Sequence, residues 1–127
     1  MALDVYLGRQ EDGTIIAQFE ADGYYFYLYP LFEDLKKTTN QMIDLYDDAI
    51  FEGNSLNALA ETFKKARAMV EREPLEWKVR VGWTDTSKRI EIKKMVRRDT
   101  FKELLNQLES SVAAAIANGQ PVVFLGD

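Results

Sequence analysis

Residues 77–83 read Trp77-Lys78-Val79-Arg80-Val81-Gly82-Trp83, an alternation that places Trp77, Val79, Val81 and Trp83 on one face and Lys78 and Arg80 on the other. A period of two over this length predicts a half-buried strand. After the polar stretch Thr84-Asp85-Thr86-Ser87-Lys88, which has the composition of a hairpin loop, Arg89-Ile90-Glu91-Ile92-Lys93 resumes the same period. The pair reads as a hairpin whose apolar side faces helices and whose charged side faces water. Its two tryptophans offer the largest apolar area in the chain, so the rest of the fold is expected to pack on them.

Working toward the N-terminus, Gly53-Asn54-Ser55 breaks the chain and supplies N-cap candidates, and Leu56, Leu59, Phe63, Ala66 and Val70 then recur every three or four residues. That spacing predicts an amphipathic helix over 55–73, ending before Pro74. Leu3-Asp4-Val5-Tyr6-Leu7 and Thr14-Ile15-Ile16-Ala17-Gln18-Phe19 read as two strands joined by a turn at Glu11-Asp12-Gly13. Tyr24-Tyr25-Phe26-Tyr27-Leu28-Tyr29 is so continuously aromatic that periodicity leaves strand and helix both open. Pro30 suits a first helical turn, which predicts a short helix over 30–37, and Met42-Ile43-Asp44-Leu45-Tyr46 reads as a third strand.

Toward the C-terminus, Thr100-Phe101-Lys102-Glu103 matches a capping box, in which hydroxyl and carboxylate each satisfy a backbone N–H of the first turn. The stripe Phe101, Leu104, Leu105, Leu108, Val112, Ala115 and Ile116 follows, and Asn118-Gly119 stops it, predicting a helix over 100–118. Pro121-Val122-Val123-Phe124-Leu125 is a continuous apolar run of strand length, as expected of a strand covered on both faces. Together these elements predict one α+β domain over 1–127: a mixed, mostly antiparallel sheet with the two main helices packed on one face.

A chain of 127 residues is large enough to bury a core without staples, and its 46% hydrophobic and 29% charged residues fit a soluble globular protein. Cysteine and histidine are both absent. Disulfides, thiolate nucleophiles and sites built on Cys or His ligands are therefore excluded, as is the commonest acid/base side chain near neutral pH. No apolar run approaches the roughly 18 residues that span a bilayer, and the start Met1-Ala2-Leu3-Asp4 has no basic region before an apolar stretch. The expected location is cytoplasmic, with no membrane contact. Charge is uneven: residues 1–62 carry −9 and residues 76–98 carry +5 within a total of −5.

Three short signatures stand out: Ile43-Asp44-Leu45-Tyr46 followed by Asp48-Ala49 and Phe51-x-Gly53; Trp77-x-Val79-x-Val81-Gly82; and a closing Val123-Phe124-x-Gly126-Asp127. On these the chain resembles an uncharacterised family of small, acidic bacterial proteins, whose size and acidity look like those of immunity proteins of toxin systems. The resemblance covers most of the chain after about Gly23 and implies a shared fold and a binding role without an assigned reaction.

Chemistry has to be sought in the acids. Asp44, Asp47, Asp48 and Glu52 lie within nine residues, with Tyr46 among them. Oxygen ligands of this kind suit hard cations, but the order lacks the alternating acids and central glycine of a calcium loop, so no metal site and no cofactor are expected. The reading adopted is a non-catalytic protein of the immunity or antitoxin kind, in which Asp44, Tyr46, Asp47, Asp48 and Glu52 meet a basic, toxin-like protein. Two alternatives come from other classes: a nucleic-acid binder using the bases of 78–98, among them Lys78, Arg80, Lys88, Arg89, Lys93, Lys94, Arg97 and Arg98, and a carboxylate-metal enzyme. Overall acidity opposes the first, and lysines on an exposed strand also serve to keep edges from pairing.

Overall fold

The structure is a computed structural model that describes residues 3–8, 14–83 and 90–126. Its elements run β1 (Leu3–Leu7), β2 (Thr14–Phe19), α1 (Asp22–Thr39), β3 (Ala49–Phe51), α2 (Asn54–Glu71), β4 (Glu76–Trp83), β5 (Glu91–Arg97), α3 (Arg98–Asn118) and β6 (Val122–Leu125). The class is α+β. Its strands divide between two antiparallel sheets, a four-stranded one in the order β2-β1-β6-β3 and a separate ribbon of β4 and β5.

β6 enters the larger sheet between β1 and β3 although it comes last in sequence, pairing Val5 with Phe124 on one side and Phe124 with Ala49 on the other. Its unbroken apolar run suits this interior place. Val122 and Phe124 point into the core with Leu3, Val5, Phe19 and Phe51, and against them pack Phe32 of α1, Phe63 of α2 and Leu105 of α3. Six phenylalanines are fully buried there. At about 1.5–3 kcal/mol each, they supply much of the driving force that assembles helices and sheet. Edge-to-face contacts such as Phe51 with Phe124, at 5.7 Å between ring centroids, add shape preference.

The aromatic run left open by periodicity is helical. Tyr25, Leu28, Phe32 and Leu35 are buried at helical spacing, so α1 begins at Asp22 and runs to Thr39, well before the expected 30–37. Pro30 is therefore inside the helix, where it has no N–H for the Phe26 carbonyl, a defect that costs about 3 kcal/mol. Burial of Leu28 and Phe32 on the opposite side offsets it. Asn40, in the left-handed region at φ 61°, closes the helix with its N–H on the Lys36 carbonyl at 2.8 Å. Gly23 lets the helix start press on the ribbon: a Cβ there would lie 2.7 Å from Cγ1 of Val96.

The expected third strand over 42–46 is irregular chain instead. Asp44 bends it by accepting the Tyr46 N–H on its own carboxylate at 2.8 Å, a local bond that competes with strand pairing. The strand forms later, at Ala49–Phe51. The capping box at Thr100 is likewise not formed, because α3 starts at Arg98 and Thr100 lies within its first turn. The Arg98 N–H donates to the Leu75 carbonyl at 2.9 Å and its guanidinium donates to the Glu73 carbonyl at 3.0 Å, so a neighbouring segment supplies what a cap would. Gly119 ends α3 at φ 63°, as the stop signal predicts.

In the ribbon, Trp77 opposes Val96 and faces the helices, stacking on Phe101 at 6.1 Å and meeting Tyr27 at 5.2 Å. Trp83 does not share that face, contrary to the alternation read from sequence. The register shifts between Arg80 and Gly82, so Trp83 pairs with Glu91 and turns to the side of Arg80, whose guanidinium lies 5.1 Å from its ring centroid. One extra residue in a bulge is enough to do this. The turn at 11–13, the loop at 84–88 and Arg89 lie outside the described residues.

Candidate partner-binding surface

The acidic residues occupy the connection from α1 to β3 and the first residue beyond it. Tyr46 stands at its tip, 69% exposed, with Asp47 and Asp48 exposed beside it. Asp44 is half-buried and spends one carboxylate oxygen on the Tyr46 N–H, while Asp47 accepts the Asp48 N–H at 3.0 Å. Behind the loop, the buried Tyr25 hydroxyl donates to the Ile43 carbonyl at 2.8 Å. Burial raises the pKa of that hydroxyl, with Asp44 the next contributor, so Tyr25 stays a donor. Glu52 follows β3, where the Ser55 hydroxyl accepts the Glu52 N–H at 2.8 Å and donates to its carbonyl at 2.7 Å.

Carboxylate-to-backbone bonds thus brace the loop, while Tyr46, Asp47 and Asp48 remain exposed. Among the described residues, no three acidic side chains converge as metal ligands would, and no cation pairs with Asp47 or Asp48. Two grooves mark the described surface: one of about 480 Å³ between the start of α2 and the end of α3, lined in part by Glu52, Leu56 and Ile116, and another of about 320 Å³ between α1 and β4, lined by Phe26, Tyr29, Pro30, Arg80 and Trp83.

The bases of the ribbon do not form one stripe. Lys78, Arg80, Lys93 and Arg97 share the outer face with Trp83 and Met95, whereas Lys94 opposes Val79 on the inner side with its Cβ near Gly23. Lys93 is also partly engaged by Glu91 at 3.5 Å. Lys88 and Arg89 lie outside the described residues.

A second surface escaped the reading of the sequence. Strand register aligns Ile15 with Tyr6, Tyr6 with Val123 and Val123 with Ile50, an apolar row crossing all four strands on the face turned away from the helices. Val123 is buried yet outside the core, while Ile15 is 49% and Ile50 38% exposed. A bulge makes this row possible, since Tyr6 opposes Ile15 and Val5 opposes Ala17, leaving Ile16 as the extra residue. By the alternation of the pleat, Asp48 and Glu52 flank Ile50 on the same side, and the neighbouring row carries Asp4, whose carboxylate accepts a bond from the Gln18 amide. The available signal was the apolar run 121–125 together with isoleucines on both sides of its neighbours. No family model, curated protein or solved structure matches the chain.

Proposed function

We propose that this protein is a non-catalytic binding protein of the immunity or antitoxin kind, whose acidic loop docks on a basic, toxin-like enzyme. The observation that carries this reading is the exposed Tyr46 set between Asp44 and the pair Asp47 and Asp48 on a loop already held by its own hydrogen bonds. An exposed aromatic on a braced loop, flanked by acids, offers an anchor with few side-chain torsions to fix and meets a basic surface under electrostatic steering. Divergent carboxylates support contact with a broad positive surface better than they support a reacting centre. The described helices include none long and apolar enough to cross a membrane, which agrees with a partner met away from the bilayer.

The test is calorimetric titration of the purified chain into the basic enzyme encoded beside its gene, at low and high salt. The expected result is 1:1 binding that weakens by tenfold or more as salt rises, and weakens by about 100-fold when Tyr46→Ala is combined with Asp47→Lys and Asp48→Lys, in line with loss of a central anchor and its charges. Unchanged binding by that variant overturns the loop assignment. Turnover of a substrate by the chain alone, abolished by one carboxylate substitution, overturns the non-catalytic reading.

A further inference from the structure

The molecule carries two sheet faces turned away from the helices, and their chemistries are opposite. On the larger sheet the apolar row Ile15, Tyr6, Val123 and Ile50 is bordered by Asp4, Asp48 and Glu52. On the ribbon, Met95, 51% exposed, and Trp83, 45% exposed at the edge of the groove to α1, share a face with Lys78, Arg80, Lys93 and Arg97, and with Glu76 and Glu91, the latter 3.5 Å from Lys93. Each face thus has apolar anchors beside an excess of one sign, negative on the larger sheet and positive on the ribbon. We propose that the acidic sheet face of one molecule receives the basic ribbon face of a second copy, head to tail.

Sheets packed face to face sit about 10 Å apart and interdigitate their side chains. Trp83 and Met95 of one copy would fill the row between Ile50 and Ile15 of the other, and Arg80 and Lys78 would meet the acids at its borders. A two-stranded ribbon of seven or eight residues covers a strip on the order of 25 Å by 10 Å, well below the roughly 800 Å² per side of a stable complex. Association is therefore weak and grows with concentration. The contact is heterologous, so it leaves one face of each kind free at the ends and continues into a ring or a chain. Asp48 and Glu52 serve both this contact and the proposed loop interface, so a bound partner and a second copy exclude each other.

The experiment uses the protein alone, which separates this inference from the partner reading. Sedimentation velocity at low salt is run on the wild type, on a sheet-face variant (Asp48→Lys with Ile50→Lys) and on a ribbon variant (Arg80→Glu with Met95→Glu), with folding of each checked by circular dichroism. The wild type is expected to move from monomer at about 10 µM toward larger species near 1 mM, as a dissociation constant on the order of 100 µM requires, and to revert in high salt. Each variant alone stays monomeric. Mixed, they form 1:1 pairs and nothing larger, because one supplies only an intact ribbon and the other only an intact sheet face. A wild type that stays monomeric near 1 mM, a variant that still self-associates, or a mixture that forms no pair overturns the proposal. If a double variant unfolds, Ile15→Lys and Lys93→Glu replace it, with the same expectations.

Discussion

Gly126 approaches the acidic loop so closely that its N–H donates to the Asp47 carbonyl at 3.2 Å and a Cβ built on it would lie 2.6 Å from the Asp47 nitrogen. The end of β6 therefore braces the loop through bare backbone. Gly126→Ala forces backbone against backbone and is expected to cost about 1–3 kcal/mol. Urea unfolding reads the loss, and partner binding is expected to weaken with it because the loop is displaced.

Gly23 and Gly82 make a paired test. In a helix, alanine is worth about 1 kcal/mol over glycine, but the Cβ at Gly23 would meet Cγ1 of the fully buried Val96 at 2.7 Å. Gly23→Ala is expected to destabilise by a net 1–2 kcal/mol or so. Gly82→Ala meets nothing within 4 Å and is expected to be neutral within about 0.5 kcal/mol. Equal effects at the two sites in urea titrations would contradict the packing of α1 on β5.

Alkaline stability tests the buried tyrosines. Burial raises Tyr25, aided by Asp44, and burial with the hydrogen bond to Glu73 raises Tyr27, each well above the ordinary value of 10.0. The unfolded chain loses these protons first. Stability is thus fully present below about pH 10 and is lost as pH rises beyond it toward the folded values. Melting temperature is expected to fall steeply across that window, and more gently in Tyr25→Phe. At neutral pH the same substitution is expected to cost about 1–2 kcal/mol through the Ile43 carbonyl left without its donor.

Pro30 sits exposed within α1. Pro30→Ala restores an N–H for the Phe26 carbonyl and removes a ring clash worth about 3 kcal/mol, against about 1 kcal/mol of added freedom in the unfolded chain. A net gain of about 1–2 kcal/mol in urea unfolding is expected. A loss would mean that the ring packs productively in the groove it shares with Trp83 and Tyr29.

The elements with a sustained period are legible in the sequence: α2 within two residues at each end, β1, β2, the ribbon strand from Trp77, and the end of α3 at Gly119. Misreadings fell where two local rules competed. Pro30 signals a helix start, yet four buried residues at helical spacing carried α1 past it, and Thr100 has a capping pattern, yet Leu75 and Glu73 supply bonds to a helix that begins two residues earlier. The acids at 44–52 were legible as a cluster, but which carboxylates turn inward to hold backbone was not, since that depends on how the loop meets β6.

Sequence alone determined the α+β class, most of the buried stripes of α2 and α3 and the separation of acidic from basic segments, because period and charge are written into neighbouring positions. Tertiary structure decided the rest: that β6 lies between β1 and β3, that a bulge turns Trp83 to the side of Arg80, and that Ile15, Tyr6, Val123 and Ile50 line up into one row. Register between strands far apart in the chain is set by what both faces bury at once, and no window of neighbouring residues contains that information.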